Sequence, residues 1–254
     1  MDLYHDIESS AQYEFLTPAA LEQRIRDCPV AYLPLGTMEW HGPHLPLGTD
    51  ALQGIALFRL AAERFGGVVI PPLYLGPDRT VREDGREYFG MEVYLDHIHC
   101  PRPYPPTLLP GNAFWLPDDV FDAMLSGMIR QLARIGFRVF AATGHGPSVH
   151  HFARLAGVLE PELSIRMLTV DHGQQEPRFI SDHAAESETS NILYFYPDLV
   201  QMDALPEHWQ DTVVGIAGND PKRCASADNL AHRLPGILER LGSSIQDALT
   251  SLGR

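Results

Sequence analysis

Apolar residues recur along this chain in two rhythms. Unbroken apolar runs read as strands covered on both faces, and runs with helical spacing read as helices packed along one side. A short amphipathic stretch begins at Thr17-Pro18, with Leu21 and Ile25 on one face, and the run Val30 to Gly36 follows it as a buried strand. A polar loop from Thr37 to Asp50 comes next, then the helical stretch ALQGIALFRLAAERFGG, closed by Gly66-Gly67. A second apolar run from Val68 completes a strand-helix-strand unit, normally parallel and right-handed.

From Pro77 to Pro117 the text turns irregular, rich in Pro, Arg, Asp and Tyr, and is too long for a simple connector. The helical period resumes over Asp118 to Ile135. Phe137 to Thr143 then reads as a strand running into GHGPSVH, with an apolar-spaced helix over Phe152 to Leu159. A strand at about Ser164 to Val170, a polar loop, a helix from about Glu186 and an amphipathic helix from Ala227 to Leu252 complete the chain. The alternation predicts an α/β fold, a mostly parallel sheet with helices on both faces, whose active sites lie beyond the carboxyl ends of the strands. His41 and His145 each follow such a strand, so fold logic brings both to one rim.

Length and composition narrow the reading. At 254 residues a single domain over 1–254 is expected, with the irregular insertion at about 77–117 as its departure. With 44% hydrophobic and 20% charged residues, the chain can bury a substantial core. Nineteen basic against 33 acidic side chains leave a formal charge of −14, which repels phosphate backbones and anionic lipid surfaces, so neither nucleic acid nor membrane is expected as a partner. Cys28, Cys100 and Cys224 are odd in number and lie outside any CxxC pair. A reducing compartment is therefore expected rather than a disulfide framework or a thiolate zinc site. No leader-like or membrane-length apolar run is present in the sequence, which makes the expected location cytoplasmic.

Several polar residues then stand out. In Glu39-Trp40-His41 an extended backbone turns the carboxylate and the imidazole to the same side, where both could face one metal. Taken alone, each candidate has an ordinary explanation. Glu-x-His is commonly a solvated loop pair, and Asp50 stands where a helix N-cap is expected. His145, between Gly144 and Gly146, could be a turn residue, and Glu188 could be a dipole-favouring acid at a helix start.

In combination these segments become recognisable. LPLGTMEWHGPHLPLGTD resembles the N-terminal signature of the creatininase family, GHG its middle motif and HAAESETS its third, over about Leu33 to Ser190. The resemblance implies a three-layer α/β sandwich, often a homo-oligomer, with two divalent ions, zinc or manganese, that hydrolyses non-peptide C–N bonds in small molecules. Position by position it implies Glu39, His41, Asp50, His145 and Glu188 as the metal ligands, with Asp50 shared by both ions. Creatininases proper place a glutamate just after the middle histidine, where this chain has Pro147. Three carboxylates set −3 against +4 from the ions, leaving room for a bridging hydroxide.

For the implied mechanism, the ions lower the pKa of a shared water and polarise the substrate carbonyl. His183 is then the expected proton shuttle, with the adjacent Asp182 orienting and charging it. His44, in the same signature, fits a backbone-bonding role as well as a catalytic one. Trp40, Thr143 and Pro147-Ser148 depart from the usual Gln, Asn and Gly-Asn, and the insertion with Arg79, Arg82, Tyr88, His97 and His99 has no counterpart in the family pattern. These departures point away from creatinine itself and toward a formamide, cyclic amide or modified peptide. Two alternatives remain: metal-dependent ring opening of a cyclic ketone or sugar-derived substrate, and a non-catalytic ligand-binding member of the fold.

Overall fold

A computed structural model describes residues 11–96, 99–170 and 182–253. In chain order its elements are α1 (Pro18–Asp27), β1 (Val30–Leu35), α2 (Thr49–Phe65), β2 (Val68–Val69), β3 (Thr80–Glu83) and β4 (Arg86–Phe89). They continue with α3 (Asp118–Arg134), β5 (Val139–Gly144), α4 (Gly146–Leu163), β6 (Arg166–Thr169), α5 (Glu186–Phe195), the short α6 (Trp209–Thr212) and α7 (Pro221–Cys224), and α8 (Ala227–Ser251). Four parallel strands form the central sheet in the order β2-β1-β5-β6.

β1 is apolar throughout because both of its faces are covered. Val30 and Tyr32 join the core beneath α2 and α8, whereas Ala31, Leu33 and Leu35 face the opposite core beneath α3 and α4. Helix, sheet and helix therefore make three layers, as expected. Among the described residues no helix is long and apolar enough to cross a membrane.

Three local readings are corrected. The run from Val68 pairs as a strand for only two residues, because Pro71 and Pro72 lack the N–H that a ladder needs. α4 starts at Gly146 rather than Phe152, because Gly146-Pro147 occupies a first turn, where a missing N–H costs nothing. The insertion is also less irregular than its composition suggests. β3 and β4 form an antiparallel hairpin across Asp84-Gly85, both at positive φ (48° and 76°). The buried Glu92 carboxylate accepts N–H bonds from Phe89 and Leu109, and the insertion closes at its base through Gly76 N–H to Phe114 O and Leu116 N–H to Gly76 O.

The rim where β1 and β5 end is packed at backbone contact. Gly144 has φ +126°, and a Cβ there would lie 2.0 Å from Leu35 O and 3.3 Å from Asp50 O. Only glycine lets β5 turn into α4 while His145 N–H bonds Leu35 O at 2.7 Å. Gly144→Ala is expected to destabilise the chain by about 3 kcal/mol or more, through backbone strain and the clash together. Urea unfolding checks this, and a change within about 0.5 kcal/mol would show that the rim relaxes freely.

Candidate metal centre

Two histidines reach the same point from neighbouring strand ends, and each is locked through the nitrogen that faces away from it. His41 Nδ1 lies 3.2 Å from the Glu39 carbonyl, an acceptor only, so Nδ1 carries the proton and Nε2 presents its lone pair. His145 Nδ1 bonds Ser148 Oγ at 3.0 Å, and that hydroxyl donates onward to Gly36 O at 3.4 Å, which again leaves Nε2 free. Both side chains are buried.

Carboxylates surround these two lone pairs. His41 Nε2 lies 3.4 Å from Glu188 Oε2, 3.7 Å from Asp50 Oδ2 and 4.0 Å from Glu39 Oε1. His145 Nε2 lies 3.7 Å from Glu39 Oε1 and 3.7 Å from Asp78 Oδ2. Among the described residues His41 Nε2 and Asp50 Oδ2 are buried with no hydrogen-bond partner. Such orphans are costly unless something else satisfies them. Donors on one ion at about 2.0–2.2 Å sit about 3–3.5 Å apart, so separations slightly above hydrogen-bond length fit a divalent ion at the centre. Among the described residues three groups have ligand atoms within 4.8 Å of one another: His41, Asp50 and Glu188; Glu39, Asp78 and His145; and Glu39, His41 and His183.

The ordinary explanations for the acids fare differently. Gly48, not Asp50, is the N-cap of α2, and Asp50 sits in its first turn without a capping bond, so its carboxylate is available. Glu188 does lie in the first turn of α5, yet it also reaches His41. Its Oε2 accepts Ala184 N–H at 2.6 Å and its Oε1 accepts Gln53 Nε2 at 3.3 Å. Gln53 is in turn held by Asn191 at 2.8 Å. This chain orients Glu188, and neither Gln53 nor Asn191 carried a motif that would have announced it.

Asp182 is a correction. Its carboxylate accepts Ser187 N–H at 2.6 Å and Glu188 N–H at 3.2 Å, so it serves the start of α5 instead of orienting His183. The Trp40 carbonyl orients His183, accepting from Nε2 at 2.8 Å, while Nδ1 faces Glu39 Oε1 at 3.9 Å and the ring stacks on His41 with centroids 4.5 Å apart. His44 stays outside the cluster, its Nε2 at 3.0 Å from Thr189 Oγ1. His99 lines the adjoining cavity, and His97 lies outside the described residues. Asp78 went unrecognised by sequence reasoning because it lies in the insertion, outside every motif.

The electrostatics follow from crowding. Burial opposes the charged form of His41, but Glu188, Asp50 and Glu39 outweigh it and raise its pKa to about 10. His145 rises to about 9 in the same way, through Glu39, Asp78 and Asp50. Burial pushes Glu188 up to about 8, with His41 pulling back, and pushes Glu39 well above the usual carboxylate range. For Asp50, His41 outweighs burial and holds the carboxyl below that range. Burial and the neighbouring His41 lower His183 to about 3. A cavity of about 580 Å³ opens over the cluster, with Met91, Leu95, Val149 and Ala217 on its apolar side and Arg79 and His99 among its polar lining.

A family model described as "Creatininase: Creatinine amidohydrolase" matches residues 14–229. The chain is 26% identical over 206 residues to creatinine amidohydrolase of Pseudomonas putida, covering 72% of this chain and 70% of that protein. It is 28% identical over 186 residues to the mycofactocin precursor peptide peptidase of Mycolicibacterium smegmatis (70% and 62%). To the 3-dehydro-scyllo-inosose hydrolase of Thermotoga maritima it is 24% identical over 209 residues (75% and 58%). A crystal structure of creatininase superimposes with a TM-score of 0.71 at 21% identity, over 94% of this chain and 98% of that one. Creatininase structures described as Zn-Zn type and as Mn superimpose at 0.69 and 0.65, with 22% and 23% identity and the same coverage.

In the absence of any ion, the cluster should become less stable as pH rises. His41 and His145 titrate far above the ~6.5 of an unfolded imidazole, so their stabilisation is complete below that value and is lost as pH passes about 9 and about 10. Glu188 acts in the same sense, since its ionisation near about 8 adds a buried charge. The melting temperature of chelator-treated protein is expected to drop by several degrees between about pH 6 and pH 9. If both imidazoles are donors, the shift on adding divalent ion should grow over the same range, since a donor imidazole must be deprotonated. A flat or rising profile without ion would contradict this charge arrangement.

Proposed function

Because the chain belongs to the creatininase family, we propose that it hydrolyses a non-peptide C–N bond (an amide, cyclic amide or formamide) in a small molecule, with two divalent ions as cofactors. The observation that carries this reading is His41 Nε2: fully buried, without a hydrogen bond among the described residues, and faced by three carboxylate oxygens. His41 and Glu188 would hold one ion, Glu39 and His145 the other, and Asp50 both. Zinc and manganese suit such a set of imidazole and oxygen donors. When bound, the ions supply a water acidified toward ~7 and an electrophilic contact for the substrate carbonyl.

The chain's own residues do the rest. Ala184 N–H and Gln53 hold Glu188 in place, and Ser148 and the Glu39 carbonyl keep both ligand imidazoles in the required tautomer. His183 donates from Nε2 to a backbone carbonyl, so Nδ1 is its basic atom. From the cavity edge Nδ1 can take a proton and return it to the leaving nitrogen. Its side chain is 16% exposed, enough to meet a substrate. The apolar cavity wall and Arg79 at its edge select what enters.

A second reading keeps the site and changes the bond. The relative from Thermotoga maritima is named a hydrolase of 3-dehydro-scyllo-inosose, which favours ring opening of a cyclic ketone by the same groups. Release of amine or ammonia separates the two, and amine-free turnover of a carbocyclic ketone would overturn the C–N reading.

Purified protein should hold two ions per chain by plasma mass spectrometry, with Glu188→Ala falling toward one. His183→Asn should keep both ions and lose on the order of 10²–10⁴ in kcat on whichever small amide the wild type turns over. Loss of an ion in His183→Asn would make His183 a ligand, as its grouping with Glu39 and His41 also permits. Absence of bound ion in reconstituted wild type would overturn the proposal.

A further inference from the structure

In the ligand set read from the motifs each ion has one imidazole, one glutamate and a share of Asp50, and the half around His145 has a further carboxylate within reach. After His145 the chain continues Gly146-Pro147, and neither residue offers a donor side chain. Ser148 is committed to His145 Nδ1 and Gly36 O. On the motif residues alone, the ion at this position would rest on Glu39, His145 and a share of Asp50.

We propose that Asp78, delivered by the insertion, is a further ligand that joins Glu39 and His145 on the same ion. This rests on the two-ion reading above. Asp78 Oδ2 stands 3.7 Å from His145 Nε2, matching the 3.7 Å from Glu39 Oε1 to the same nitrogen, and the three ligand atoms lie within 4.8 Å of one another. Both separations exceed hydrogen-bond length and fit the edges of a polyhedron around one ion. The other oxygen, Oδ1, accepts Arg79 N–H at 2.5 Å, which sets the carboxylate so that Oδ2 faces His145.

The surrounding backbone is shaped to bring Asp78 there. Gly76, two residues earlier, passes so close that a Cβ would lie 2.6 Å from Ser148 Oγ and 3.1 Å from His145 Nδ1. The bonds of Gly76 with Phe114 and Leu116 pin that segment at the mouth of the insertion. Gly90, at φ +53°, lets the end of the hairpin close over the carboxylate, since a Cβ there would fall 2.4 Å from Asp78 Oδ2. Trp115, with its ring centroid 5.7 Å from that of His145 and stacked on Phe89, walls the same side. The insertion is thereby part of the metal site as well as its cover. With Asp78 counted, four carboxylates balance the +4 of two divalent ions.

The test titrates zinc into chelator-stripped wild type, Asp78→Asn and Glu188→Ala, reading stoichiometry and affinity by calorimetry and melting temperature without ion. Wild type is expected to take two ions. Asp78→Asn should keep one and bind the other at least about 100-fold more weakly, since even residues that merely orient a ligand cost 10–100-fold. Asp78→Asn combined with Glu188→Ala should weaken both ions. The melting temperature without ion is read alongside, because Asp78 also faces His145 Nε2 at 3.7 Å. Asp78→Ser provides the same comparison if the asparagine variant folds poorly. Two ions at unchanged affinity in the Asp78 variants would overturn the assignment while leaving the two-ion reading intact. A lower melting temperature with unchanged zinc affinity would make Asp78 structural and overturn it as well. Fewer than two ions in wild type would overturn both.

Discussion

Four carboxylates packed around two buried imidazoles within a few ångströms cannot all carry charge unless positive charge sits among them. In a medium of low effective dielectric, the repulsion between two such carboxylates at this range is several kcal/mol. The protein answers in two ways. Without ions the imidazoles hold protons, which is why His41 and His145 are raised far above an ordinary histidine. In the proposed ion-bound state those protons would leave, and the same Nε2 lone pairs would become donors. The Nδ1 bonds to the Glu39 carbonyl and Ser148 make the exchange possible without moving either ring.

The fold meets this constraint by gathering side chains from separate parts of the chain onto one rim. The ends of β1 and β5 bring in His41 and His145, the first turn of α2 brings Asp50, and the first turn of α5 brings Glu188. Close approach is the limiting requirement, and Gly36 and Gly144 meet it: a Cβ on Gly36 would fall 2.7 Å from that of Ala51, beside Asp50. Strain gathers here too. Ala184 adopts φ +53° between His183 and α5, and its N–H is the donor that holds Glu188. The walls above the rim come from less regular segments, the insertion and the stretch around Ala217, which pairs with His183.

What could be read in the sequence was whatever local pattern determines. β1 and β5 were legible because a strand covered on both faces must be apolar throughout, and α3 and α8 because an amphipathic helix has one period. Starts and stops were not. Pro71-Pro72 shortens β2, and Gly146-Pro147 opens a helix although the pair resembles a loop. The motifs announced Glu39, His41, Asp50, His145 and Glu188, and the structure draws all five together. They misled at Asp182, because adjacency in sequence to His183 says nothing about which backbone amides a short carboxylate will meet; it turned toward α5. Asp78 was invisible for the opposite reason. Its place depends on a hairpin turning at Asp84-Gly85 and a closure at Gly76, contacts that lie far apart in sequence and have no period.

The central claim is that this buried cluster exists to hold two ions, and anomalous diffraction from zinc-loaded crystals of the whole chain addresses it most directly. Two anomalous peaks are expected, one within bonding distance of His41 Nε2, Asp50 and Glu188, the other within bonding distance of His145 Nε2 and Glu39. A well-ordered cluster with no peak, or a peak bound to neither Nε2 atom, would contradict the claim.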